Sequence, residues 1–203
     1  NLAALGMFIA VSYTIYANYS SGNISEILIA LSVGALVGIL IASNVAMTSI
    51  PEMVSMFNGL GGLASAMITM VSYIKFRELH MSPFVLYSVA FSFAVGVVTF
   101  IGSWMAFLKL KGSISGKPMH FSGLKLLRMV VFLALIVSVV WFSYDENRAY
   151  EAFKFLVILS VVFGLIFVLP IGGADMPVVI SMLNSFSGMA AAVAGFVFFS
   201  MEP

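Results

Sequence analysis

Two asparagines fall inside stretches that are otherwise apolar, and each lies seven residues past a proline. Asn58 follows Pro51 and Asn184 follows Pro177, which places each amide about 10 Å into its helix at roughly 1.5 Å per residue. An amide side chain donates and accepts hydrogen bonds but has no useful pKa, so it can position water without itself carrying a proton. Two readings fit such a residue in lipid. It can bond a neighbouring helix, for about 1 kcal/mol, or it can line a path for water and protons. Spacing alone leaves both open. No Asp, Glu, Lys or Arg falls in the middle of an apolar run, so a titratable carrier would have to come from elsewhere. His80 and His120 fall in loops, where a solvated role is expected. The absence of cysteine excludes thiol chemistry, disulfides and Cys-based metal sites.

The segments carrying the asparagines resemble each other. Ile50 to Ala64 returns as Met176 to Ala190, with Pro, Ser, Met, Asn, Gly and Ala recurring at an offset of 126 residues. Polar and small residues in each copy share one helical face: Pro51, Ser55, Asn58, Gly62, Ser65 and Thr69 in the first, then Pro177, Ser181, Asn184, Gly188, Ala191 and Gly195. A third stripe runs through Ser88, Ser92, Gly96, Thr99 and Ser103.

Composition decides what positions these stripes. Of 203 residues, 62% are hydrophobic and 8% charged, and mean hydropathy is +1.15, whereas a soluble domain is about 25% charged. The expected fold is an all-α, polytopic membrane helix bundle of about seven transmembrane helices with a parallel internal repeat. The expected spans are Leu2–Asn18, Ile27–Ala46, Pro51–Ile74, Pro83–Leu108, Leu126–Phe142, Ala152–Leu169 and Met176–Phe199. Pro51 and Pro83 sit at helix starts, where a missing N–H costs nothing. Tyr19–Asn23 is a cluster of turn formers, and Gly34-x-x-x-Gly38 is a packing seam by spacing. Lys111 to Pro118 is rich in Gly and Lys, but it lacks the spacing of a phosphate-binding loop and follows no strand. A net charge of +1 gives no case for a nucleic-acid partner.

Seven helices put loops alternately on two sides. Lys109, Lys111, Lys117, Lys125 and Arg128 share one side with Glu52 and Asp175, a net of +3. Lys75, Arg77, Arg148 and Lys154 share the other with Glu26, Glu78, Asp145, Glu146, Glu151 and Glu202, a net of −2. The excess of basic residues places residue 1 and the 2–3, 4–5 and 6–7 loops in the cytoplasm.

The run Gly172 to Gly188 (GGADMPVVISMLNSFSG), together with Met47 to Gly62, Thr99 to Ser103 and Gly112 to Pro118, resembles the beta subunit of proton-translocating nicotinamide nucleotide transhydrogenase. The resemblance covers nearly the whole chain. It implies a membrane domain of a bacterial inner membrane that conducts protons while other domains pass hydride between NAD(H) and NADP(H). It puts Asn184 in the proton path, with Ser55, Ser181 and Ser103 as neighbours, and Asn58 where many members carry a proton-carrying histidine. That departure suggests an imidazole supplied by a helix of the alpha subunit. The implied partners are the alpha subunit's transmembrane helices and soluble NAD-binding domain, the NADP-binding domain of the same subunit, the lipid bilayer and a second copy of the complex. This chain is expected to bind no cofactor and no metal. With no Gly-x-Gly-x-x-Gly after a strand, residues 1–203 read as a transmembrane fragment without the NADP-binding domain.

Asp175 and Glu52, in the two repeat-opening loops, are the expected coupling residues. A carboxylate in a helix's first turn is also favoured by the dipole, by about 0.3–1 kcal/mol, and this simpler account is strong for Glu52. A secondary transporter would use a similar repeat around a substrate-sized cavity. A purely structural subunit would tolerate loss of both amides.

Overall fold

The computed structural model describes every residue except 1, 18, 20–23, 77–80, 145–148 and 202–203. The turn formers at 20–23, together with Arg77, Glu78, His80, Asp145, Glu146, Arg148 and Glu202, therefore lie outside the described residues. Seven α-helices account for almost all the rest: α1 (Leu2–Ala17), α2 (Ile24–Asn44), α3 (Ile50–Phe76), α4 (Pro83–Leu110), α5 (Leu124–Tyr144), α6 (Ala149–Val168) and α7 (Met176–Met201). Single 3-10 turns at Met47–Ser49 and Gly173–Asp175 lead into α3 and α7. Six helices, α2 to α7, are long and apolar enough to cross a membrane. The first falls short of the seven expected, because its 16 residues reach only about 24 Å against a hydrocarbon core of about 30 Å.

The chain divides into two compact units, residues 1–47 and 48–203. In the first, no residue of α2 is buried, and a Cβ added at Gly34 or Gly38 would meet nothing within 4 Å. The seam that their spacing suggests is open within this unit. Asn44 closes α2 by donating its Nδ2 to the Leu40 carbonyl at 2.7 Å.

In the second unit α4 is central, touching α3, α5, α6 and α7. Its start follows from sequence: Ser82 accepts from the Val85 amide at 3.4 Å, and Pro83 occupies the first turn. Its end is a glycine cap. Gly112 takes φ +76°, so that its N–H reaches the Lys109 carbonyl at 3.2 Å and the Ser113 N–H reaches Leu108 at 3.0 Å.

Contacts give the helix directions. Along α3 and α4, Ser55 and Asn58 meet Ser103, Gly62 meets Thr99 and Gly96, and Thr69 meets Ser92. These two helices are antiparallel. Leu183 lies beside Gly102, and the Ala190 carbonyl beside Ser92, so α7 is also antiparallel to α4 and points the same way as α3. Tilted ring contacts of Phe132 with Phe163 and Trp141 with Phe155 join α5 and α6 as an antiparallel pair. Gly164 lets α6 approach Val98 and Ile101 of α4.

Small residues set how closely α3 and α4 pack. A Cβ built on Gly62 would lie 2.8 Å from the Gly96 carbonyl and 2.8 Å from Thr99 Cβ, and one on Gly96 would lie 2.7 Å from the Gly62 carbonyl. Since backbone cannot yield as a flexible side chain does, Gly62→Ala is expected to force the helices apart and destabilise the bundle by about 1–3 kcal/mol. Gly188→Ala, where nothing lies within 4 Å, should stay within about 0.5 kcal/mol of wild type. Thermal unfolding in detergent compares the two, and equal midpoints would refute the close-packing account.

Candidate proton path

The α3 stripe and the α4 stripe face each other, and α7 completes the site with a residue from neither asparagine-bearing stripe. Asn58 donates its Nδ2 to Ser103 Oγ at 2.9 Å and accepts at Oδ1 from Ser187 Oγ at 2.9 Å. Ser187 Oγ also approaches the Asn58 carbonyl at 3.3 Å. Ser55, fully buried, donates to the Ser103 carbonyl at 2.8 Å. One amide thus ties together three helices, with each half of its dipole engaged.

A second polar layer lies eleven residues further along α3, about 16 Å away at the usual rise. Thr69 Oγ1 and Ser92 Oγ are 2.9 Å apart, and either can be the donor. Thr69 also reaches the Ser65 carbonyl at 2.8 Å, and Ser92 the Ala190 carbonyl at 2.8 Å. Two hydroxyl hydrogens therefore serve three contacts, so this pair has more than one donor arrangement. Gly62, Ser65 and Thr99 lie between the layers. Ser65 and Thr99 donate to carbonyls within their own helices, the usual resting place for a hydroxyl in an apolar helix.

The other expected path residues lie elsewhere. Ser181 and Asn184 are exposed on α7, as are Pro177, Gly188 and Ala191, while the buried face of α7 is Met176, Val179, Ile180, Leu183, Ala190, Ala194 and Val197. Neither Ser181 nor Asn184 contributes a side-chain bond to the Asn58 cluster. Asp175 is exposed in the 3-10 turn before α7, and Glu52 is half-buried in the first turn of α3. His120 lies on the α4–α5 loop. Among the described residues no group of three His, Asp or Glu could hold a metal ion.

Sequence reasoning missed the part of Ser187, the bond between Thr69 and Ser92, and the burial of Lys109. Ser187 is one turn beyond Asn184 and was not placed on its stripe. Thr69 and Ser92 were read as stripe members but not as a bonded pair. Lys109 was assigned to the polar loop, yet it is 4% exposed inside the last turn of α4. Its Nζ donates to the carbonyls of Leu169 at 2.6 Å and Ile171 at 2.8 Å, with Val168 at 3.5 Å. A cation at the end of α6 and on the turn that follows it satisfies carbonyls that no helical N–H reaches. The signal was present: Ser103, Ala106 and Lys109 continue the buried face of α4 at a spacing of three.

Two further bonds fasten the loops at that end. The Gly173 N–H donates to Gly116 at 2.8 Å, and the Met119 N–H to Leu169 at 3.3 Å. The turn into α7 is thus held by the α4–α5 loop and by Lys109 together.

Comparison with known proteins decides the family. A family model described as NAD(P) transhydrogenase beta subunit matches residues 1–201. The chain belongs to that family. It is 37% identical over 203 residues to the NAD(P) transhydrogenase subunit beta of Rhodospirillum rubrum, the match covering 96% of this chain and 43% of that protein. The same protein from a designated strain of the species gives the same figures. The chain therefore spans less than half the length of these relatives. The family and the six span-length helices make it a membrane protein. Among the described residues no strand leads into a glycine turn that could cradle a pyrophosphate.

Proposed function

We propose that this chain is the membrane proton-conducting part of a nicotinamide nucleotide transhydrogenase, coupling proton translocation to hydride transfer between NAD(H) and NADP(H) bound by other domains. The observation that carries this reading is the Asn58–Ser103–Ser187 cluster, a polar junction of three membrane helices in a chain of the transhydrogenase beta family. Asn58, Ser55 and Ser103 form one end of the path, and the Thr69–Ser92 pair continues it. Asn184 and Ser181 belong to the path on the outer face of α7, where a transmembrane helix of the alpha subunit would close it and bring the titratable imidazole. The helices α3 and α7 are two copies of a parallel repeat, an interpretation favoured by their shared direction on α4.

The partners of this reading are the alpha subunit with its NAD-binding domain, the NADP-binding domain of the same subunit and a second copy of the complex. The location is a bacterial inner membrane, with residue 1 and the 2–3, 4–5 and 6–7 loops in the cytoplasm. The bonds between the 4–5 and 6–7 loops support one shared side for those two. Sidedness is tested with single cysteines at Lys117, Asp175 and Tyr150 and an impermeant thiol reagent in sealed right-side-out vesicles. Only Tyr150→Cys should label; labelling of Lys117→Cys from outside would reverse the orientation.

Coupling needs an element with two arrangements that both sites can bias. The Gly172–Asp175 turn is that element, since it leads directly into α7, which carries Ser187 to Asn58. Asp175→Asn should impair proton-coupled turnover and change NADP(H) affinity, with Glu52→Gln the milder change. The test is NADPH release and proton pumping in the reassembled complex. Unchanged values for Asp175→Asn would remove this turn from the mechanism.

A further inference from the structure

We propose that the cleft between the α4–α5 loop, the first turn of α5 and the Pro170–Ile171 turn binds the phosphate of an anionic phospholipid. The cavity measures about 500 Å3, and His120, Lys125 and Arg128 line it with no carboxylate among the lining residues. Arg128 Nε is buried and has no hydrogen-bond partner. A buried donor left unpaired is rare because it forfeits its water without compensation. Arg128 lines the cleft, and a small rotation of its side chain would present Nε and the rest of the planar guanidinium to a phosphate oxygen there.

The surrounding groups point to the same ligand. The carbonyls of Leu169 and Ile171, which flank the Pro170 wall, already accept from Lys109. At the opposite wall α5 begins after Gly123, whose φ of +93° turns the chain so that the positive end of the helix dipole lies at the cleft. Basic pockets between membrane helices at an interface are a recurrent seat for acidic lipid headgroups.

A free phosphate ion would share this chemistry, but two features favour lipid. The cavity is far larger than a phosphate, and an apolar path leads away from it along α5. Met129, Phe132 and Ile136, which continue the side of α5 that carries Lys125 and Arg128, are each more than two-fifths exposed, a surface along which acyl chains can lie.

The test uses the full-length protein in its assembled complex, purified in detergent and titrated with phosphatidylglycerol or phosphatidylcholine under native mass spectrometry. Phosphatidylglycerol should be retained about tenfold more strongly than phosphatidylcholine, and Lys125→Glu and Arg128→Gln should each remove about that preference. Lys125 is exposed, so its reversal leaves the fold intact. Lys154→Gln, which removes a cation at the far end of α6, should change nothing. Equal retention of the two lipids, or a Lys125→Glu complex that keeps the wild-type preference, would overturn the proposal. Displacement of phosphatidylglycerol by inorganic phosphate at equal affinity would make this a free-anion site and equally refute the lipid assignment.

Discussion

A complex carrying Asn58→Leu is expected to fold with a near-normal unfolding midpoint and to lose proton-coupled transhydrogenation by about tenfold or more. Leucine keeps the branching and heavy-atom count of asparagine, and its bulkier methyl groups open no cavity at this half-buried position. The substitution removes both side-chain bonds of the amide, to Ser103 Oγ and from Ser187 Oγ. Those hydroxyls can turn to carbonyls of their own helices, which holds the stability loss near 1 kcal/mol. In the proposed path, the junction of α3, α4 and α7 would lose the amide that positions water there. Asn58→His should be tolerated better, because imidazole also donates and accepts. Steady-state rates and thermal melts on the same preparations check this. Full coupled activity in Asn58→Leu would leave the amide with a helix-joining role alone.

The second large effect belongs to Lys109→Met. Methionine fills the space of the lysine stem but leaves the Leu169 and Ile171 carbonyls without their short bonds of 2.6 and 2.8 Å. Removing a buried charge offsets part of that loss, so the net destabilisation is expected at about 1–3 kcal/mol. The larger consequence is on coupling. The turn into α7 would then keep the Gly173–Gly116 and Met119–Leu169 backbone bonds but lose the lysine, and in the proposed coupling a loosened turn would transmit less of a shift near Asn58. Coupled turnover should fall several-fold while Lys117→Gln, an exposed lysine in the same loop, leaves it unchanged. Identical melting and turnover for Lys109→Met and wild type would refute the anchoring role.

Most helices were legible because proline, glycine and charge punctuate long apolar runs. Pro83 and Met176 begin α4 and α7 where the sequence places them, and other ends differ by at most three residues, as at α2 and α6. The family was legible in the glycine- and asparagine-bearing motifs. What the sequence could not show is which face of a uniformly apolar helix turns inward, since lipid and a neighbouring helix reward the same side chains. The stripes of α3 and α4 meet, yet the similar stripe of α7 is exposed and Ser187 enters the cluster instead. Lys109 misled for a related reason. A lysine near a polar loop reads as solvated, and the carbonyls of the turn after α6, 60 residues on at Leu169, explain its burial.

The most direct measurement of the central claim is the luminal pH of sealed vesicles holding the full complex while NADPH and an NAD analogue react. A pH change should appear only when both nucleotides are present, and should collapse in Asn58→Leu while Gly188→Ala keeps it. A luminal pH that stays flat in wild type during turnover, or moves equally fast in Asn58→Leu, would contradict a proton path through the Asn58–Ser103–Ser187 junction.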